Sequence, residues 1–291
     1  MKIREIEAKV LLSRVREPDT WFGLLYTMNL YRGCAHQYIY CDTRSACYGI
    51  EDFDHEVLVK ANALELLEKE LRGKRVKGPI GLGSMNDPYQ PVEAERRLTR
   101  GALELMARCG FPVHVLTKSD LVLHDIDVLK RIQRAGAVVS ITITTADDAL
   151  AAKVEPFAPP PSARFRALRT LAREGIETRI ALMPILPFIE DTEENVTAIV
   201  EEAADCGVKA IVAAFGTTMR DRGRDHFYEE LDCHFPGLRA RYEKAYGDRY
   251  ICPSPNRERL ERLFHELCAT YAIATSIAPP AASRPAQLPL F

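Results

Sequence analysis

Six short runs rich in apolar and β-branched residues recur along the chain, at residues 25–30, 79–83, 113–117, 138–143, 179–183 and 210–214, and each reads as a strand. Between them apolar residues return at helical spacing. Leu98, Ala102, Leu105 and Met106 share one face, and Val122, Ile126, Leu129 and Ile132 share another. Gly110, Gly136, Gly175 and Gly207 each follow a helical stretch and precede a strand, where a left-handed cap favours a residue without Cβ. Asp191 is expected to begin a helix through Val196 and Ile199, with Glu193 and Glu194 near its positive end.

Six βα units in series imply an α/β fold with a parallel sheet, either doubly wound or curled into a barrel. Polar residues gather just after the strands: Ser84, Asn86 and Asp87, then Lys118 and Ser119, Thr144 and Thr145, and Glu190 and Asp191. The carboxyl ends of parallel strands are where such folds place their sites. For Ser119 and Asp191, capping of the following helix is an equal reading. From about Asp225 to Ala274 the pattern changes to aromatic- and charge-rich helical segments, expected to close the open side of a barrel. Residues 1–275 thus read as one domain with closing helices. Residues 276–291, rich in Pro and Ala, read as an extended, poorly ordered tail.

Composition changes this picture little. Of 291 residues 47% are hydrophobic and 27% charged, enough apolar material for a sizeable core. The longest apolar stretch, residues 180–189, is interrupted by Pro184 and Pro187 and falls short of the roughly 20 residues a bilayer needs. The first residues mix charges and lack the apolar core of a secretory signal, so a cytoplasmic protein without a membrane partner is expected. A net charge of −2 argues against a uniformly basic nucleic-acid binder, though not against a local basic surface. Arg164, Arg166, Arg169 and Arg173 read as a solvated helix face in preference to a phosphate site.

Eight cysteines in a cytoplasmic chain read as reduced thiols. Cys109, Cys206, Cys233 and Cys268 are scattered and read as packing residues. Cys34, Cys41 and Cys47 instead fall within one short Gly- and polar-rich loop after the first strand.

That loop reads Tyr31-Arg32-Gly33-Cys34-Ala35-His36-Gln37-Tyr38-Ile39-Tyr40-Cys41-Asp42. It resembles the radical S-adenosylmethionine (SAM) superfamily, and within it the spore photoproduct lyase-like group, whose signature is Cys-x3-Cys-x2-Cys with an aromatic before the last cysteine. Cys34, Tyr40 and Cys41 match, and the middle cysteine position falls on Tyr38. Gly83-Ser84-Met85-Asn86-Asp87-Pro88-Tyr89-Gln90-Pro91, Thr117-Lys118-Ser119-Asp120 and Met183-Pro184-Ile185-Leu186-Pro187 are similar to later blocks of the group.

The resemblance implies a partial (β/α)6 TIM-type barrel with a C-terminal helical extension. It implies a [4Fe–4S] cluster on the loop cysteines, SAM on the open iron, an external one-electron reductant, and a 5′-deoxyadenosyl radical as the reactive species. Cys34 and Cys41 are then the surviving ligands. A phenol is a harder donor than a thiolate, with an ordinary pKa of about 10, so Tyr38 is expected to impair or alter the cluster. Cys47 is a candidate third thiolate, against which stands an ordinary buried thiol. Tyr40 is expected on the adenine side, Ser84 and Asp87 beside the methionyl end, and Lys118 either at a carboxylate or phosphate or on the surface.

DNA repair, or related radical chemistry, is the activity so implied, with DNA as the expected substrate. The alternative is a non-catalytic relative that binds nucleic acid or a clamp. The lyase carries a cysteine hydrogen donor near the position of Ser84, whose O–H bond is too strong for that role. Cys252 is then either a substitute donor or a packing thiol. The chain ends Gln287-Leu288-Pro289-Leu290-Phe291, which resembles the short motif that binds the bacterial sliding clamp by filling an apolar groove.

Overall fold

A computed structural model of the chain describes residues 1–17 and 19–277. Six parallel strands form its frame: β1 (Tyr26–Met28), β2 (Ile80–Leu82), β3 (Val113–Thr117), β4 (Ala137–Thr142), β5 (Glu177–Leu182) and β6 (Ala210–Ala213). They lie side by side in chain order, and the short strand Ser13–Arg14 pairs antiparallel with β1 at the far edge. A doubly wound sheet reverses strand order at a switch point, and this sheet never reverses. Right-handed crossovers in one direction place the covering helices on one face, so the opposite face curls inward as a partial barrel. Among the described residues the two edges, β6 and Ser13–Arg14, are not paired with one another, and the barrel stays open.

The strands are buried on both faces, as a parallel sheet beneath helices requires. In β4 and β5, Ile141 stands opposite Ile180, and both are fully buried. The covering helices present most of the expected stripes: Leu98–Cys109 buries Ala102, Leu105 and Met106, and Ile126–Ile132 buries Leu129 and Ile132, with Val128 buried where Ile126 is only half-buried. Gly110 ends the first of these in a left-handed cap with φ of 67°.

Three features depart from the expected pattern. Lys2–Ile6, Glu56–Lys60 and Tyr31–Arg32 form a second, three-stranded sheet that begins where the cysteine loop begins. The helix after β5 is Glu193–Asp205, and its cap is Thr192, whose hydroxyl accepts from the Asn195 amide. Asp191 turns away from it to accept the Ser254 hydroxyl at 2.6 Å and the Phe188 amide at 2.6 Å, tying the C-terminal segment to the barrel. Ser119, by contrast, does cap, accepting from the Leu121 amide.

The C-terminal region contributes helices Asp221–His234, Leu238–Tyr246 and Arg257–Thr270, with an antiparallel pair, Gly216–Thr218 and Ile251–Pro253, beside the strand ends. Phe264 of the last helix meets Phe215 edge-on just after β6. No helix among the described residues is long and apolar enough to cross a membrane. The motif at residues 287–291 lies outside the described residues.

Candidate functional site

A cleft of about 620 Å³ opens at the carboxyl ends of the strands. It gathers Cys34, Tyr38, Tyr40 and Cys41 from the loop after β1, Ser84 and Asp87 from the turn after β2, and Lys118 from the end of β3. Sequence positions more than eighty residues apart thus share one wall. The turn after β2 requires glycine: Gly83 has φ of 99°, and a Cβ there would stand 1.9 Å from the Leu116 carbonyl oxygen.

Asp87 is a clasp. Its Oδ1 accepts the Thr117 hydroxyl at 2.6 Å and the Tyr89 amide at 2.8 Å, while Oδ2 accepts the Lys118 amide at 2.7 Å. His36 Nε2 approaches the same Oδ2 at 3.6 Å but makes no hydrogen bond among the described residues. Asp87 therefore fixes the β2 turn to the end of β3, with its oxygens spent on protein donors. Ser84 is exposed on the cleft wall.

Lys118 is a buried lysine, 7% exposed, and the surface reading is excluded. Its ammonium lies 3.8 Å from the centroid of the Tyr38 ring, 5.6 Å from that of Tyr40 and 3.7 Å from Glu155 Oε1. Tyr38 is in turn stacked near His36 and Tyr40, with interplanar angles of 21° and 18°.

Glu155 is the hub beneath these rings. It accepts from the Tyr40 hydroxyl and pairs with the guanidinium of Arg164, which also donates to the carbonyls of Thr142 and Pro159. Burial pushes the Glu155 carboxyl up, but Arg164 and Lys118 outweigh it and hold the group below its ordinary value. Arg164 is 1% exposed, which corrects the solvated-face reading, although Arg166 and Arg173 of the same helix are exposed. Glu190 lies deeper, accepting from the Thr144 hydroxyl and the Leu186 amide, and burial raises its carboxyl to about 8.

Neither Glu155 nor the burial of Arg164 was foreseen. The signal was present for the arginine, since it stands four and seven residues before Leu168 and Leu171 on one helical face. Two cysteine readings change, those of Cys47 and of Cys233, which is exposed and not a packing residue, while the packing alternative for Cys252 holds. Cys47 is exposed rather than buried, with its sulfur near the Ser45 hydroxyl and the Arg220 guanidinium. Cys252 is buried in an apolar cluster with Phe227 and Tyr242, while its neighbours Ile251 and Pro253 line the cleft. Strand alternation turns its thiol away from the cleft, so the geometry does not serve a hydrogen donor there.

The sequence model of the radical SAM superfamily matches residues 28–203, more than half of the chain. The chain belongs to this superfamily. An uncharacterized protein of Mycobacterium tuberculosis is 31% identical over 278 residues, which span 91% of this chain and 82% of the relative. The radical SAM Nalpha-GlyT isomerase of Pseudomonas phage M6 is 25% identical over 227 residues, covering 74% and 46%. Among solved structures, spore photoproduct lyase complexed with dinucleoside spore photoproduct superimposes with a TM-score of 0.69. It has 15% identity, covering 92% of this chain and 79% of that one. The fold is thus that of the lyase.

Membership implies SAM and a [4Fe–4S] cluster. The donor set does not match the cluster's three thiolates. Two thiols and a phenol occupy the signature positions, with the Tyr38 hydroxyl 3.7 Å from Cys34 Sγ. Among the described residues no three His, Cys, Asp or Glu side chains converge as a metal site. Burial raises the Cys34 thiol to about 12, aided by the nearby Asp87 and Cys41, and burial raises Cys41 as well. Burial likewise holds the Tyr38 phenol well above its usual value. Tyr40, Ser84 and Lys118 are spaced around the open cleft beside them.

Proposed function

We propose that this chain binds SAM in the cleft and acts on a nucleic-acid substrate, as a member of the lyase-like group whose cluster assembly is weakened at Tyr38. The observation that carries this reading is the convergence of Cys34, Cys41, Tyr40, Ser84, Asp87 and Lys118 on one cleft at the strand ends. Asp87 shapes the methionyl side, Lys118 supplies a cation for a carboxylate, and Tyr40 offers a ring to the adenine. The nucleic-acid part rests on the lyase fold and on a superimposed structure that holds a dinucleoside photoproduct. The C-terminal motif would bring the protein to a sliding clamp, and an external reductant would be needed for any radical step.

Trp21 lines the cleft and is the single tryptophan of the chain, so its fluorescence reports on occupancy. Titration with SAM or S-adenosylhomocysteine should give a saturable change, and Lys118→Met should weaken it at least severalfold. A flat titration with both ligands would sink the SAM reading. A second reading, a non-catalytic relative that keeps the fold for binding, is favoured by the way Tyr38 is packed.

A further inference from the structure

We infer that Tyr38 turns the third corner of the cluster loop into an aromatic seat for the Lys118 ammonium, so that the loop is complete without iron. The inference rests on the cleft being the family's cofactor site, but not on SAM being bound there.

Three contacts hold the ring in place. It is stacked near His36 and Tyr40, with centroids 5.9 and 5.7 Å away, and the ammonium stands over it, 3.8 Å from its centroid. A cation over an aromatic face is attracted by the ring quadrupole, more strongly where water is excluded. The other groups near the ammonium are the Tyr40 ring, 5.6 Å away, and Glu155 Oε1 at 3.7 Å. Its carboxylate neighbour, Glu155, is shared with Arg164 and the Tyr40 hydroxyl, and Asp87 engages the Lys118 amide, not its ammonium. Lys118 and Arg164 both stand against the one carboxylate of Glu155. A cysteine at position 38 would lack the face on which the ammonium rests and would add a donor for iron instead. Ammonium seating and cluster assembly are therefore alternatives at this one position.

The test uses the full chain in two parts. After anaerobic incubation with iron and sulfide, the parent should retain less than about one iron, and Tyr38→Cys should retain about four, the count of a cubane. In iron-free protein, urea midpoints are compared for Tyr38→Leu, Lys118→Met and the double variant. A seat requires that the double variant lose clearly less than the sum of the two single losses. About four irons in the parent, or strictly additive midpoint shifts, would overturn the proposal. The unfolding cycle stands even if Tyr38→Cys fails to fold. The Trp21 titration on the same samples separates the readings: an iron-poor, coupled parent without a SAM response supports the seat and removes SAM binding.

Discussion

Glu155 and Arg164 face one another as an ion pair beneath the cleft, each side chain 1% exposed. One residue ends the helix Asp148–Val154 as its C-cap, and the other lies in the first turn of Pro161–Arg173. The pair joins these helices to each other, and the Thr142 carbonyl joins them to β4.

Removing one partner leaves the other charged and buried. Arg164→Met should therefore cost about 3–5 kcal/mol of unfolding free energy, read from urea denaturation. Arg164→Met combined with Glu155→Leu should recover part of that loss. A single-variant loss no larger than those of exposed pairs would show that water reaches the site.

Stability should fall on the acid side because of His114. Burial, with Arg179 nearby, lowers its imidazole to about 3, and Nε2 lies 2.7 Å from the Ser140 hydroxyl. Between its ordinary value of 6.5 and 3, the unfolded chain takes up a proton that the folded chain refuses. The contribution is whole above about pH 6.5 and is lost as the pH drops toward 3. His114→Gln should flatten the urea midpoint over this window, and an unchanged acid slope would mean that other groups set it.

Gly83→Ala should be costly, by more than about 2 kcal/mol, because the new methyl meets the Leu116 carbonyl at a left-handed φ. Gly73→Ala is the control. It ends the helix Ala63–Gly73 with nothing within 4 Å of a new Cβ, and thermal unfolding should show it neutral or slightly stabilised. Similar melting temperatures for the two variants would contradict the tight turn.

A peptide ending in Gln287-Leu288-Pro289-Leu290-Phe291 should bind a bacterial sliding clamp, and alanine at Leu290 and Phe291 should remove most of the binding. Burial of such side chains contributes roughly 1.5–3 kcal/mol each. Equal binding by the full chain and a version ending at Ala286 would argue against the motif.

The six parallel strands of the main sheet were legible to within two residues at each end, because each is a short apolar, β-branched run set off by Gly and polar residues. The largely exposed Lys2–Ile6 of the second sheet carries no such run and went unread. The loop chemistry was legible too, since Cys34, Tyr38, Tyr40 and Cys41 are close in sequence and stay close in space. What escaped were choices made by distant partners. Asp191 resembled a cap but turns to Ser254, 63 residues on. Lys118 and Arg164 look solvated until Glu155 is brought beside them. Cys252 neighbours the cleft in sequence, but the alternation of a three-residue strand sends its thiol the other way. Local period reveals which face is apolar, and long-range pairing decides which polar residues join it.

The two edges of the sheet leave a gap, and a cavity of about 280 Å³ there is lined by Trp21, Val212, Ala213 and Phe264. The chain after the last helix stands in for a missing neighbour at one of these edges: Ala274 bridges Ala210 of β6, and its carbonyl accepts the Ile211 amide at 2.9 Å. The open side is thereby narrowed by backbone that belongs to no strand of the sheet.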